Sequence, residues 1–231
     1  MKERVRRMLL MLVLAGATGL AAYHNQVQRT DLVYAESLDE VALIVDGEEL
    51  DLKELAVYIA YQEKKVQQDA LVYDSEKPEK YWNAYTNQHF VRSVAEKAVK
   101  QMAAHDEIFY QKALAEGLEL TDEEEAYLAN EILDFFMDLT EEQLERLGVT
   151  ETDIEVAMRK IALANKYQSI LAQVEGLEYE LYDYSGVAYD ALLVNHTIEE
   201  REKVWNRISV GNITVNYKKK TVEQTGATEQ K

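Results

Sequence analysis

Cysteine is absent from this chain of 231 residues, and proline and glycine are scarce, with one Pro and nine Gly. The absence of cysteine excludes disulfides, thiol catalysis and zinc sites built on thiolates. Average proteins contain about 7% Gly and about 5% Pro, so the low turn content disfavours β-sandwiches and barrels. Because few helix breakers interrupt the chain, we expect a mainly α-helical protein with one domain or at most two small ones.

Positive charge is also in short supply, since 25 Lys and Arg oppose 43 Asp and Glu, for a formal net charge of −18. Nucleic-acid binding needs clustered Lys and Arg, so we expect no nucleic-acid partner. The sequence also lacks a Gly-rich phosphate-binding loop, so we expect no nucleotide. The four histidines do not share metal-ligand spacing on one helix. The carboxylate clusters Glu123–Glu125 and Glu141–Glu142 fit first helical turns, where the helix dipole favours them. We therefore expect no catalytic residue, no metal site and no cofactor.

The first 35 residues form a separate segment. Basic residues at positions 2, 4, 6 and 7 precede an uncharged, largely apolar run from Met8 to Tyr23, an order typical of export signals. Small residues at Ala15–Ala17 and at Val33–Ala35 leave the cleavage site open. We favour an uncleaved anchor in the cytoplasmic membrane through Met8–Tyr23, with the main domain outside the cytoplasm; secretion after signal cleavage is the alternative.

The rest of the chain is more acidic than the whole. The first 35 residues hold five of the 25 basic and two of the 43 acidic residues, so 36–231 carries 20 against 41, a net charge of −21. Such a part is repelled by anionic lipid and stays soluble beside it. We expect one helical domain over 36–217, followed by a disordered polar tail over 218–231.

Capping signals place several helices. Asp51 with Glu54 is typical of a capping box, and similar signals begin at Thr121, at Thr140 and at Thr150 or Thr152. No Gly or Pro interrupts the chain from Pro78 to Ala115, although the apolar periodicity weakens around Gln88 and Asp106. A continuous helix there would be about 57 Å long at 1.5 Å per residue, so we expect it to bend or to project as a long arm.

Two strands are predicted at the ends of the domain. Val41–Val45 is short, apolar and β-branched, and Asp46-Gly47 closes it with a turn. Val210–Asn216 is the other strand signal, after a short helix capped by Thr197. One strand cannot satisfy its own backbone groups, so we expect these two strands to pair.

The order of these elements resembles the N-terminal chaperone domain of the SurA and PrsA foldases. The resemblance rests on Val-Asp-Gly-Glu-Glu-Leu at 45–50 and Ala-Glu-Gly-Leu-Glu-Leu-Thr-Asp-Glu-Glu at 115–124, and covers roughly 41–173. It implies a helical domain related to part of trigger factor. Family members often insert a parvulin prolyl isomerase domain of about a hundred residues. Here only the Tyr-rich segment 174–196 stands in that place, so isomerase activity is not carried over.

The resemblance and the anchor together predict a chaperone-like protein that binds unfolded or nascent exported polypeptides in a cleft between arm and body. Residual isomerase activity and a structural adaptor role in an envelope complex stay open as alternatives. Large apolar side chains are usually buried, so a core or helix-seam position competes with a binding role for each aromatic candidate. The candidates for polypeptide binding are Trp82, Tyr85, Phe90, Phe135, Phe136, Tyr182 and Tyr184.

Overall fold

A computed structural model describes residues 33–217. The expected anchor at Met8–Tyr23 and the tail at 218–231 lie outside the described residues. Within 33–217, the helices lack the combination of length and apolarity that crossing a bilayer requires. The expectation of a mainly α-helical protein is confirmed. The elements are a 3-10 turn (Tyr34–Glu36), β1 (Val41–Val45), β2 (Glu48–Asp51), α1 (Leu52–Tyr73), α2 (Glu79–Trp82), β3 (Tyr85–Thr86), β4 (His89–Phe90), α3 (Val91–Ala115), α4 (Asp122–Met137), α5 (Glu141–Leu147), α6 (Glu151–Glu175), a 3-10 turn (Tyr179–Tyr182), α7 (Val187–Leu193), β5 (Ile198–Glu200) and α8 (Glu202–Trp205).

Capping boxes begin four of the helices, at the predicted positions. In each box the N-cap side chain accepts a backbone N–H from the third helical residue, whose own side chain accepts the N-cap N–H. Two donors that a helix start leaves unpaired are thereby satisfied. Thr150, and not Thr152, caps α6. The boxes are Asp51 with Glu54 for α1, Thr121 with Glu124 for α4, Thr140 with Gln143 for α5 and Thr150 with Asp153 for α6.

The segment expected to form one long helical arm is divided. A β-hairpin separates α2 from α3, with Tyr85 paired to Phe90 and Thr86 paired to His89. The two turn residues, Asn87 and Gln88, have φ angles of 49° and 67°, as a type I′ turn requires. The weak periodicity around Gln88 therefore marks a hairpin. The other weak point, Asp106, lies inside an unbroken α3, which packs against α1 and α6 in the body and does not project as an arm.

The sheet has three antiparallel strands in the order β2-β1-β5. Val45 pairs with Glu48 on one side and with Ile198 on the other. The predicted pairing of β1 with Val210–Asn216 is therefore wrong, and so is the helix start at Thr197. The reason lies in the β1–β2 turn, where Asp46 accepts the N–H of Thr197 at 2.7 Å and sets β5 beside β1.

Val210–Asn216 is not a strand, although it is largely buried. Three of its backbone N–H groups are satisfied by one carboxylate, that of Glu63 in α1. This carboxylate accepts from Gly211, from Ile213 at 3.1 Å and from Thr214 at 2.5 Å. The apolar pattern of the segment thus reflects burial against helices, which a strand and a docked loop have in common.

Long polar side chains hold the carbonyl groups of the same segment. Arg146 of α5 donates to the carbonyl of Ile213 at 2.6 Å, and Gln143 donates to that of Thr214 at 2.9 Å. Arg92, near the start of α3, donates to the Ser209 hydroxyl at 3.0 Å. The C-terminal part of the chain therefore returns to the body by docking across α1, α3 and α5.

The Tyr-rich segment covers the middle of α3. Tyr182 and Tyr189 are buried, with ring centroids 6.5 and 5.8 Å from that of Phe109. The buried His105 lies 2.8 Å from the Tyr182 carbonyl through its Nε2. Because a carbonyl only accepts, Nε2 carries the proton in this bond. The Tyr-rich segment is thus a short cover of the helical core.

Candidate functional site

Helix α4 is the least buried of the long helices. Of its residues only Leu128 is buried, at 4% exposure. The helix packs against α6. At this contact Phe135 and Phe136 pack against a small cluster formed by Val57, Ile154 and Ala157. We call this contact the α4–α6 seam. A groove lies open on each side of this seam, and both grooves are lined by Leu128.

The larger groove runs along the middle of α6. It has a volume of about 580 Å³, which lies within the range of roughly 300–1,000 Å³ that is usual for ligand pockets. Leu128, Met158 and Ile161 form an apolar floor, and acidic side chains stand at the edge. The groove is lined by Leu120, Glu123, Glu124, Tyr127, Leu128, Glu131, Met158, Ile161, Ala162, Asn165, Lys166 and Tyr179.

Two tyrosines line this groove from different elements. Tyr127 on α4 is 66% exposed, and Tyr179 belongs to the 3-10 turn after α6. The Glu131 carboxylate beside the Tyr127 hydroxyl raises the pKa of that tyrosine. Burial raises the pKa of Tyr179 to about 12, and its hydroxyl lies 3.3 Å from Asn165 Oδ1. Both rings therefore stay uncharged at neutral pH and present apolar faces with a polar tip, as suits polypeptide contacts.

Ion pairs brace α4 across the seam. Lys166 lies 2.6 Å from Glu124, whose pKa it lowers through the hydrogen bond, and Lys166 also donates to the Glu119 carbonyl at 2.8 Å. Arg159 binds both carboxylate oxygens of Glu125 and lowers its pKa in the same way. Arg159 and Lys166, the basic side chains that line the grooves, are thus both paired with carboxylates. The remaining carboxylates give the groove edges a negative charge.

The smaller groove, on the other side of the seam, has a volume of about 410 Å³. It shares Leu128 with the larger groove, and the exposed Leu133 adds to its apolar surface. Glu151 and Glu155 at the start of α6 stand along it. Both grooves thus combine an apolar floor with carboxylates, a surface suited to an apolar segment that carries Lys or Arg.

The predicted binding aromatics do not form one surface. Tyr85 and Phe90 are 63% and 53% exposed on the β3–β4 hairpin, with ring centroids 5.0 Å apart. Trp82 is fully buried and donates from Nε1 to Gln67 Oε1 at 2.9 Å, so it offers no surface to a partner. Tyr182 is likewise in the core.

The remaining predicted candidates are half-buried. Phe135 and Phe136 fill the α4–α6 seam with their rings 5.5 Å apart, and Tyr184 lies in the Tyr-rich cover. Sequence reasoning missed Tyr127 and Tyr179, the two rings that line the larger groove. A usable signal existed for Tyr127: with Glu123 and Glu131 it recurs every four residues, which places one aromatic on an acidic face of α4.

Most buried polar groups of the core are hydrogen-bonded within the protein, and Gln62 Oε1 is the exception in the described part of the chain. His105 lies 2.7 Å from Asp106 through Nδ1, and its Nε2 is taken by Tyr182. Lys160 lies 2.7 Å from Glu54 and 2.5 Å from Glu107. Lys160 thus joins α6 to α1 and α3, and His105 joins α3 to the Tyr-rich cover. Within 33–217, no cluster of three or more His, Asp or Glu side chains is arranged to hold a metal ion.

In comparisons with protein-family models, curated proteins and solved structures, none of them matches this chain. The grooves, the hairpin and the resemblance in element order are therefore the basis for assigning a function.

Proposed function

We propose that this protein is an extracytoplasmic, membrane-anchored or secreted, chaperone-like protein that binds unfolded exported polypeptides in the two grooves beside the α4–α6 seam. The observation that carries the proposal is the exposed apolar surface on and around α4. Tyr127, Leu133 and Met137 are all exposed on this one helix. Apolar patches of this kind on a soluble domain mark interaction sites.

Charge defines the chemistry of the bound segment. Glu123 and Glu131 at the larger groove take part in no ion pair within the described residues, and Glu151 stands at the smaller one. An apolar stretch flanked by Lys or Arg meets both the floor and the edge of such a groove. The net charge of −21 over 36–231 opposes aggregation of the resulting complex.

Binding of this kind is weak and reversible. Burial of apolar area contributes about 25 cal/mol per Å², but an unfolded client loses conformational freedom when it binds. Two shallow grooves that share Leu128 therefore hold a client for a short time and then release it, with no nucleotide or covalent step. A chaperone that lets clients fold between binding events needs this balance.

The adaptor role differs from the chaperone role in the range of partners. A photo-crosslinking amino acid at Tyr127 tests this in intact cells. Many unrelated exported proteins are the expected products, whereas one stoichiometric partner would favour an adaptor. The same crosslinker at the exposed Val72, at the far end of α1, controls for random collisions.

Substitutions in the grooves test the proposal in the purified protein. Tyr127 and Leu133 are exposed, so Tyr127→Ser with Leu133→Ser removes apolar surface from both grooves without opening the core. We expect the double variant to bind a denatured test protein about tenfold more weakly, which corresponds to about 1.4 kcal/mol. Val72→Ser with Val194→Ser, two exposed positions outside the grooves, is the matched control. If both double variants bind the denatured test protein equally well and suppress its aggregation equally, the grooves are not the binding site.

Prolyl isomerase activity is not part of this proposal. The segment 174–196 holds only a 3-10 turn and α7 between the end of α6 and β5. We expect no acceleration of prolyl exchange in a protease-coupled peptide assay, beyond the uncatalysed exchange over tens of seconds. Faster exchange in proportion to the protein concentration would instead support the isomerase alternative.

A further inference from the structure

Two uncharged stretches distinguish one end of this acidic molecule. Residues 81–91, between Lys80 and Arg92, and residues 208–217, between Arg207 and Lys218, are the longest runs without Asp, Glu, Lys or Arg in the described part of the chain. The first stretch contains the β3–β4 hairpin. All six residues from Tyr85 to Phe90 are exposed.

These two stretches lie side by side. Gly211, with φ of 93°, lies so close to the Trp82 ring that a Cβ at this position would collide with it. Arg92, directly after the first stretch, donates to Asn212 Oδ1 at 3.3 Å. The base of the hairpin is therefore in direct contact with the C-terminal segment, and Arg92 joins the two.

Both ends of the described chain reach the same region. The Asn212 carbonyl accepts from Arg146 of α5 at 3.0 Å, and the same guanidinium lies 4.3 Å from the centre of the Tyr217 ring. The chain start also packs on α5, since Gly148 at the end of this helix directly contacts Ala35. Val33 and Tyr217 thus both lie near α5. Arg146 of this helix also binds the C-terminal segment, which contacts Trp82 at the base of the hairpin.

We propose that the β3–β4 hairpin rests in the interface of the lipid bilayer, with Tyr85 and Phe90 at the level of the headgroups. This inference depends on the anchoring through Met8–Tyr23 in the proposed function. Only residues 24–32 separate that run from Val33, and nine residues span at most about 30 Å. This short linker keeps the body beside the membrane, in reach of an orientation in which the hairpin faces the bilayer.

Chemistry favours lipid as the occupant. Tyr and Phe rings are stable at the boundary between headgroups and acyl chains, and an uncharged hairpin enters it without desolvating a charge. The rest of the domain is acidic and is repelled by anionic lipid. Helix α5, near which both chain ends lie, carries Glu141, Glu142 and Glu145, and anionic headgroups would repel these carboxylates. The contact between the hairpin and the bilayer is therefore apolar and does not require anionic headgroups.

Tryptophan fluorescence of the full-length chain in phosphatidylcholine vesicles tests the contact. Phe90→Trp places a reporter on the hairpin, and Tyr127→Trp places the same reporter in the larger groove. Trp82 and Trp205 are buried, so the unsubstituted protein supplies the background to be subtracted. For the hairpin reporter we expect a blue shift of the emission in vesicles and a loss of that emission with brominated lipid. For the groove reporter we expect neither change. Tyr85→Trp repeats the measurement from the paired strand.

Flotation of the vesicles separates the two hypotheses. If the chain floats but brominated lipid does not quench the Phe90→Trp reporter, the anchor stands and the hairpin contact is wrong. Shielding of this reporter from iodide without quenching by brominated lipid would also overturn the lipid contact, in favour of a protein partner or a second copy of the chain. If the chain does not float, both the anchor and the hairpin contact are wrong.

Discussion

Glu63 and Thr214, 151 residues apart in the chain, meet in the core. The Glu63 carboxylate accepts both the backbone N–H and the hydroxyl of Thr214, each at 2.5 Å. Burial raises the pKa of Glu63, and the hydrogen bonds donated by Thr214, Ile213 and Gly211 oppose that rise. A single side chain of α1 thus replaces the strand partner that the backbone of the C-terminal segment lacks.

Removal of this carboxylate is expected to destabilise the fold strongly. Glu63→Ala leaves three buried N–H groups unpaired, and each costs about 1–3 kcal/mol. We therefore expect the free energy of unfolding to fall by at least about 3 kcal/mol. For a domain of this size that corresponds to a fall of roughly 6 °C or more in the melting temperature. Glu48→Ala, at an exposed position of β2, is the control. A Glu63→Ala protein that melts with the control would show that these hydrogen bonds contribute nothing.

Shortening the chain tests the docked segment as a whole. A chain that ends at Ile208 loses the buried side chains of Val210, Ile213 and Val215, each of which contributes on the order of 1.5 kcal/mol or more. We expect a melting temperature several degrees lower, measured by circular dichroism. A chain that ends at Tyr217 keeps the segment and should melt like the full-length protein. If both truncated chains melt at the same temperature, the segment is an appendage.

The β1–β2 turn makes part of the stability sensitive to acid. Burial opposes ionisation of Asp46, but hydrogen bonds from His196 and from the Thr197 N–H outweigh it, so the pKa of Asp46 is lowered from 3.8. A lowered pKa stabilises the fold above the ordinary value, and this contribution disappears as the pH falls through the folded-state pKa.

Asp46→Asn tests this linkage at constant shape. Asp46 has a φ of 52°, and Asn tolerates this left-handed conformation as well as Asp does. We expect the variant to be less stable than the parent protein above the ordinary pKa of Asp, and the difference to vanish in stronger acid. Denaturant unfolding at a series of pH values measures it, with Glu48→Gln in the same hairpin as control. A difference that does not change with pH would mean that the carboxylate charge is irrelevant there.

The β3–β4 turn is open to improvement. Gln88 adopts a φ of 67°, where glycine has no steric cost, and a type I′ turn prefers Asn followed by Gly. Gln88→Gly should therefore stabilise the protein by up to about 1 kcal/mol in denaturant unfolding. Gln88→Val, with a β-branched side chain in the same conformation, should destabilise it. The reverse order of the two variants would contradict the turn type.

Local features of the chain were predictable because the groups involved are neighbours in sequence. The box of Asp51 with Glu54 depends on side chains within three residues of the backbone groups that they satisfy, and the turn at Asp46-Gly47 depends on the positive φ angles of these two residues. Such hydrogen bonds form in any surrounding that leaves the segment intact. The four helix starts with capping boxes and the end of β1 were for this reason correct, whereas the predicted start at Thr197 was wrong.

Sequence reasoning by itself determined the mainly helical class, the four helix starts with capping boxes and the first strand. Only the tertiary structure decided that Glu63 takes up the Val210–Asn216 backbone, that Trp82 is buried while Tyr85 is exposed, and that Tyr127 lines a groove. The physical reason is that the hydrophobic effect is not directional. Burial of an apolar side chain against any apolar neighbour lowers the free energy, and the sequence does not specify which neighbour is nearest. Burial, unlike capping, is settled between residues that are far apart in the chain.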